Sequence, residues 1–395
     1  MTMNSATRLS LALLAMAFAG TAAAGDVGGN LYSSPGTVGL RLQWGANLEN
    51  SRDILVTGDG AYRFGVNLPD GTPYRVVGQS APAGWACRGK QGAKNITAAA
   101  ATGTHVYCGT SASTNGVRVG VWNLEWYDSA DPVAKKKAIA ALINQYNFDV
   151  LVLNEVLDAA SWREFITNHL GNAANWDFRI SSAGCSLRQV TMWRKSAVTL
   201  ESGYDLRASN TAGLIDEEDD AWADCGGRRP YVANFAVNGS ALKFSTATIH
   251  FKAFTTPTDC QIRKDQVDSF VQWVNWSGMD KRNFIALGDF NDRLPGTGNC
   301  ATIDTLASME NHPAFFFATA QPDYRYSFMM GNGLVTYDTD RFQNTIDHIW
   351  LSQSLLNRMQ DTDTYRNGAN AVQANMYFTT IGEPDHNLPY ISLAK

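Results

Sequence analysis

Five apolar segments of this chain carry a chemically demanding polar residue at or near the strand end, and a short sixth segment adds an acid and an imidazole near the C-terminus. Val119-Gly120-Val121-Trp122-Asn123 ends in an amide, and Val150-Leu151-Val152-Leu153-Asn154-Glu155 in a carboxylate. Ala247-Thr248-Ile249-His250 ends in an imidazole, and Ile285-Ala286-Leu287-Gly288-Asp289-Phe290-Asn291 in an acid and an amide. Thr345-Ile346-Asp347-His348-Ile349-Trp350 carries an acid within a strand, and Pro384-Asp385-His386 is the sixth segment. Apolar runs of this length are buried strands, which restricts the chain to folds built on covered sheets. One strand-end Asp or Asn caps a turn more often than it performs chemistry, and a lone His is usually a satisfied structural residue. Six such segments exceed what turn chemistry explains.

Around them the pattern alternates between strand and helix. Val117, Val119 and Val121 predict a strand, and Asp131-Pro132 opens a helix through Tyr146 with Pro at its first position. A buried strand follows at Asp149–Leu153, then a helix started by a capping box at Ser161-Trp162-Arg163-Glu164 and ending at Gly171. Strands are expected at Val190–Arg194, Val232–Val237, Phe244–His250, Phe284–Leu287 and Thr345–Leu351, with a helix from Asp259 to Trp276. Such an order fits two sheets packed face to face with helices on their outer faces.

The N-terminal part reads differently. Residues 1–24 place Arg8 before the apolar stretch Leu9–Gly20 and the small-residue run Thr21-Ala22-Ala23-Ala24, the pattern of a signal peptide cleaved after Ala24. The apolar stretch is too short to span a bilayer, and no transmembrane segment is expected elsewhere. Residues 25–112 predict a small all-β sandwich: Val38, Leu40, Leu42 and Trp44 alternate, as do Tyr62, Phe64 and Val66, then Tyr74 and Val76. Asp59-Gly60 and Asp70-Gly71 supply turn chemistry. A polar linker, Ser111 to Gly116, separates this module from a larger domain over 116–395.

Charge then limits the function. Lys and Arg total 32 against 37 Asp and Glu, a net charge of −5, which excludes a protein held on nucleic acid or anionic lipid by bulk positive charge. It leaves room for an enzyme that grips phosphate at one small site. In an exported chain the six cysteines pair: Cys87 with Cys108 by domain separation, then Cys185 with Cys225 and Cys260 with Cys300 by nearest-neighbour order. No Cys-x₂-Cys spacing suggests a metal site among them.

Taken together, Trp122-Asn123, Asn154-Glu155, Ile249-His250, Gly288-Asp289-Phe290-Asn291, Ile346-Asp347-His348 and Asp385-His386, in this order, resemble the endonuclease/exonuclease/phosphatase family, the fold of pancreatic-type deoxyribonuclease. The resemblance covers Val117 to the C-terminus and departs from the family at two supporting positions: Asn154 replaces the usual Gln, and Pro384 the usual Ser. It implies an α/β four-layer sandwich, two packed mixed sheets flanked by helices, preceded here by the small all-β sandwich. That module in turn resembles an immunoglobulin-like repeat of bacterial surface proteins, and its expected role is to bind a surface or polymer.

The family resemblance implies a divalent metal, Mg²⁺ with Mn²⁺ or Ca²⁺ as alternatives, on Glu155 with Asn123 and Asp385. It implies Asp289 and Asn291 at the attacking water and transition state, His386 as general base oriented by Asp347, and His250 as general acid or hydrogen-bond donor. Arg228, in Arg228-Arg229-Pro230, would reach the substrate phosphate; it could equally neutralise the acidic run Asp216-Glu217-Glu218-Asp219-Asp220, itself more often a solvated loop than a Ca²⁺ site. The expected function is a secreted or periplasmic, monomeric, metal-dependent phosphodiesterase acting on nucleic acid, first of all a DNA endonuclease. A sphingomyelinase-like lipid phosphodiesterase ranks second, with Phe328-Met329-Met330 read as strand-turn-strand; a phosphomonoesterase ranks third, and an inactive scaffold last.

Overall fold

The computed structural model describes residues 24–32, 34–45, 49–82, 85–89, 94–96, 101, 104–110, 116–182, 187–216, 221–223, 228–294, 300, 303–320, 337–339, 342–344, 346–356, 359–365, 386 and 388–394. Residues 1–23 of the expected signal peptide, most of the linker, Cys185, Cys225, the acidic residues 217–220, the segment 328–330 and Asp385 lie outside the described residues. No helix among the described residues is long and apolar enough to cross a membrane.

The chain begins with β1 (Ala24–Tyr32), β2 (Thr37–Trp44), β3 (Asn50–Thr57), β4 (Gly60–Pro69), β5 (Pro73–Ser80), β6 (Trp85–Gly89), β7 (Lys94–Asn95) and β8 (Val106–Thr110). They form two four-stranded sheets, ordered β4-β1-β8-β6 and β3-β2-β5-β7. The alternation expected from the sequence puts Val38, Leu40, Leu42, Tyr62, Phe64, Tyr74 and Val76 in the core between them. The immunoglobulin-like expectation is met only in outline, since β1 and β8 run parallel. Cys87 and Cys108 are disulfide-bonded, and they face each other across one ladder, on β6 and β8. Between them in the chain lies β7, which belongs to the other sheet.

From residue 116 the chain gives β9 (Gly116–Tyr127), α1 (Val133–Tyr146), β10 (Val150–Val156), α2 (Ala159–His169), β11 (Trp176–Ile180), β12 (Arg188–Arg194) and β13 (Val198–Asp205). There follow α3 (Ala208–Thr211), β14 (Tyr231–Val237), β15 (Lys243–His250), α4 (Pro257–Trp276), β16 (Phe284–Asp289), α5 (Ala307–Glu310) and β17 (Phe315–Phe317). The last elements are β18 (Tyr337–Thr339), β19 (Phe342–Asn344), β20 (Asp347–Ser352), α6 (Gln353–Leu356), β21 (Met359–Tyr365) and β22 (Leu388–Ala394). Two six-stranded sheets result, β11-β12-β10-β9-β22-β21 and β13-β14-β15-β16-β20-β17. Each is mixed: β9 with β10 and β15 with β16 are parallel, while β10 with β12 and β16 with β20 are antiparallel.

Period two explains the layers. Val117, Val119, Val121, Val150 and Val152 point inward and meet Phe235, Phe244, Ile285, Leu287 and Ile349 of the other sheet. The alternate residues Trp122, Leu151 and Leu153 point outward onto Ile139 and Ile143 of α1 and Trp162 and Phe165 of α2. On the far side, Ala247, Ile249, Phe284 and Ala286 pack against Val267, Phe270, Val271 and Val274 of α4. Helix, sheet, sheet, helix is the expected four-layer sandwich. At about 25 cal/mol per Å² of apolar surface, burial on both faces of each sheet is the main driving term.

Two local expectations fail. Pro132 is the N-cap of α1 and Val133 its first helical residue. The first turn of α2 is capped by Asp158, whose carboxylate accepts from Ser161 N at 2.7 Å and Ser161 Oγ at 2.6 Å, so Ser161 lies inside the helix. An anionic carboxylate satisfies two donors at the positive helix end, which a serine hydroxyl cannot match. Glu164, free of the box, accepts from Lys136 and Asn168 instead. The long helix α4 is capped by Thr256 and carries in its first turn the Cys260–Cys300 disulfide, the second expected pairing seen among the described residues.

Candidate functional site

Register builds the site. In the second sheet His250 pairs with Asp289 across the β15–β16 ladder, and Asp289 pairs with Asp347 across β16–β20. The ends of three adjacent strands therefore line up an imidazole and two carboxylates in a row. In the first sheet Asn123 pairs with Asn154 at the same end of β9 and β10. Two sheets packed face to face bring these rows together, as the residues show: Asn123 Nδ2 donates to Glu155 Oε1 at 3.1 Å and to Asp289 Oδ2 at 3.2 Å.

Asn154, recognised in the sequence only as a departure from the family, is the clamp between the sheets. Its amide donates to Ile249 O at 2.9 Å and accepts from Asp289 N at 3.1 Å, tying the ends of β15 and β16 to β10. It is fully buried, so both bonds form where losing a partner costs about 1–3 kcal/mol. Gly288, quoted in the motif but given no role, is required by packing. A Cβ there would sit 1.8 Å from Ile249 O, at φ +157, so any side chain would part the two strands that carry His250 and Asp289. Glu155 departs from the strand at φ +62, where the β9–β10 register also shifts. This bulge turns its carboxylate toward the second sheet.

The histidines differ in their settings. His386 Nδ1 lies 2.7 Å from Asp347 Oδ2, and both are buried. Its carbonyl accepts from Trp122 Nε1 at 2.7 Å, which fixes the backbone that carries it. His250 is fully buried, with Nε2 3.5 Å from Glu155 Oε1 and 3.8 Å from Asp289 Oδ2. Burial first, then the positive charges of Arg228 and His386, hold its pKa well below the ordinary imidazole range. Asp289 moves the opposite way. Loss of water and the neighbouring Asp347 push its carboxyl up to about 7, while His386 and the Asn291 N–H, which donates at 2.8 Å, pull it down.

Arg228 lies beside this cluster. Its guanidinium donates to Phe251 O at 3.4 Å, and its charge is balanced by Glu155 and Asp289 against the lowering effect of burial. The side chain of Asn291, at φ +53, donates to the same carbonyl at 3.0 Å. Beneath the site lies a support that nothing in the sequence singled out. Arg263 of α4 forms a fully buried ion pair with Asp292 at 3.5 Å and donates to Lys252 O and to Phe254 O, at 2.5 and 3.0 Å. A signal for Asp292 was available, since it directly follows Asn291 of the motif; an Arg within a helix gives none. His348, also inside a quoted motif, is structural: its ring nitrogens meet Thr319 Oγ1 and Asp292 O, both at 2.9 Å.

The ligand atoms of Glu155, His250 and Asp289 lie within 4.8 Å of one another, as do those of Asp289, Asp347 and His386. Buried carboxylates this close repel, as the raised pKa of Asp289 records, and a hard divalent cation on oxygen ligands would relieve that repulsion. Glu155 and Asp289 fit such an ion. Asn123 directs its amide nitrogen, not its oxygen, to them and gives its Oδ1 to Glu125 N at 3.0 Å, so here it bridges the two carboxylates.

No curated protein matches the chain. Among solved structures, D. rerio TDP2 humanized by 14 mutations aligns with a TM-score of 0.50 and 15% identity, covering 71% of this chain and 99% of that one. D. rerio TDP2 complexed with single strand DNA product gives 0.50 and 14% identity over 71% and 100%. The catalytic domain of human Nocturnin with bound sulfate anion gives 0.49 and 16% over 71% and 93%. At these identities the TDP2 likeness speaks for the fold alone. The family model described as "Endonuclease/Exonuclease/phosphatase family" matches residues 120–364, more than half of the chain, from within β9 to within β21. With the two-sheet sandwich and the strand-end cluster already in place, the chain belongs to the endonuclease/exonuclease/phosphatase family.

Proposed function

We propose that the protein is an exported, divalent-metal-dependent phosphodiesterase that hydrolyses the nucleic acid backbone, and in particular a DNA endonuclease. The observation that carries this reading is the convergence of Asn123, Glu155, His250, Asp289, Asp347 and His386 at one edge of the two sheets, with Arg228 beside them. A base, a carboxylate pocket and a guanidinium within one cluster are what in-line hydrolysis of a phosphodiester requires.

Bound on Glu155 and Asp289, with Asp385 as the third expected ligand, a divalent ion supplies Lewis-acid polarisation of a phosphate oxygen. The chain's own residues supply the rest. With Nδ1 held by Asp347, His386 is left with Nε2 to take a proton from the attacking water. His250, kept neutral by burial and by Arg228, acts as a hydrogen-bond donor to the phosphate, the second of its two expected roles. Arg228 neutralises phosphate charge, a need that a chain of net charge −5 cannot meet by its overall field. Asp289 and Asn291, joined by the N–H bond between them, position the water.

Nucleic acid is preferred over lipid because D. rerio TDP2, which shares the fold, is known with a single strand DNA product. Export is supported by the disulfides Cys87–Cys108 and Cys260–Cys300. The N-terminal sheets serve as a separate module that binds a surface or polymer. Nicking of supercoiled plasmid with Mg²⁺, abolished by chelator, is the expected result. Release of phosphocholine from sphingomyelin without plasmid nicking would overturn the assignment.

A further inference from the structure

Two large aromatic side chains stand out in solvent next to the cluster: Trp126 is 55% exposed and Phe254 72%. Both take a left-handed backbone, φ +56 and φ +72, which a bulky residue adopts only where its surroundings enforce it. Each lies three residues beyond a hydrogen bond of the site. Asn123 anchors the chain that reaches Trp126, and Phe251 O, which accepts from both Arg228 and Asn291, anchors the chain that reaches Phe254. Three residues span at most about 11 Å, so the backbone of each aromatic residue is tethered close to the cluster.

The strain has identifiable sources. Between the paired positions Asn123↔Asn154 and Tyr127↔Val156, β9 sets three residues, Leu124, Glu125 and Trp126, against the single Glu155 of β10, and Glu125 and Trp126 take positive φ in this bulge. Bulges beside active sites re-aim side chains. Phe254 is held by the Arg263 guanidinium on its carbonyl and by Lys252 Nζ over its ring at 5.5 Å.

Resting on the nuclease reading above, we propose that Trp126 and Phe254 are substrate-positioning residues that stack on nucleobases adjacent to the phosphate being cut. An acidic protein gains little grip from its overall field, and base stacking is an uncharged contact that accepts every base. The two rings sit beside Glu125 and Lys252 rather than in a continuous apolar patch, which disfavours insertion into a bilayer.

The test compares oligothymidylate with an abasic tetrahydrofuran strand of the same length, with Mg²⁺, for the full chain and for Trp126→Gly, Phe254→Gly and Trp126→Phe. Wild type is expected to prefer the base-bearing strand by about 5- to 100-fold in kcat/KM, carried by KM. Each glycine variant loses most of that preference, Trp126→Phe keeps most of it, and the melting temperature of the glycine variants is unchanged or higher because the strained backbone is relieved. An unchanged preference in the glycine variants overturns the proposal, as does a lowered melting temperature with equal loss on both strands. Plasmid nicking by wild type with no cutting of either strand also overturns the proposal, and failure on plasmid and strands alike overturns the nuclease reading and this proposal with it. Loss of sedimentation with sphingomyelin–phosphatidylcholine vesicles in the variants, at unchanged strand preference, would reassign the rings to a membrane.

Discussion

Asp289 folds at a cost that can be measured. Its carboxyl, ordinarily at 3.8, is raised to about 7 by burial and by Asp347. The unfolded chain releases this proton near 3.8 and the folded chain keeps it until about 7, so within that window the native state binds more protons. Stability from this group is therefore fully present below 3.8 and falls as pH rises through about 7. At 1.36 kcal/mol per pH unit the penalty is on the order of 4 kcal/mol at pH 8 and less than half of that at pH 5. Asp289→Asn removes it while keeping the shape. The new amide must place one N–H against either Asn123 Nδ2, now 3.2 Å from Oδ2, or Asn291 N, now 2.8 Å from Oδ1, at a cost of about 1–2 kcal/mol.

In chelator, the variant should thus be about 2–3 kcal/mol more stable than wild type at pH 8 and about equal at pH 5. Urea unfolding followed by tryptophan fluorescence across that range measures it. His250, whose pKa is lowered, contributes a slope of the opposite sign, and the difference between the two proteins cancels that contribution to first order. Added Mg²⁺ should stabilise wild type more than the variant, and nicking activity should be lost in the variant. A difference that does not change with pH, or a variant less stable than wild type at pH 8, would refute the claim that crowding of buried carboxylates sets the properties of this site.

Asp347→Asn should lower kcat for plasmid nicking about 10- to 100-fold with little change in KM, because a buried 2.7 Å charge-assisted bond to His386 is weakened; a rate within twofold of wild type would remove Asp347 from its role. His386→Ala and His250→Ala should each lose orders of magnitude in turnover while keeping the wild-type circular dichroism spectrum. Gly288→Ala should destabilise by more than about 3 kcal/mol or yield no soluble protein, since the clash is with backbone that cannot turn aside; a normal melting curve would contradict the packing. Arg263→Met should cost about 3–5 kcal/mol by removing the buried counter-charge of Asp292, and Arg263→Met with Asp292→Asn should recover at least half of it, both read from urea midpoints.

What the sequence determined by itself was local. Alternation in Val117–Val121 and the continuous apolar runs at Val150–Leu153 and Ile285–Leu287 set strands buried on both faces, because side-chain direction alternates with every residue regardless of context. The polar residues at the strand ends supplied the members of the cluster, and Cys87–Cys108 followed from domain separation and Cys260–Cys300 from nearest-neighbour order. Even local reading failed where two signals competed: Asp158, not Ser161, caps α2, since a carboxylate three residues earlier satisfies more donors.

Only the tertiary structure decided which strand ends meet. The row His250, Asp289, Asp347 exists because β15, β16 and β20 pair in one register, and a slip by one residue would turn each side chain to the other face. The same holds for Asn154, which spans 95 residues of sequence to reach Ile249 O, and for Arg228, whose charge lies near Glu155 and Asp289 of two different sheets. Arg263 beneath Asp292, and the bulge that exposes Trp126, leave no trace in composition or periodicity. Contacts of this kind depend on how sheets stack and helices cover them, a sum over many distant pairs that no short stretch of sequence carries alone.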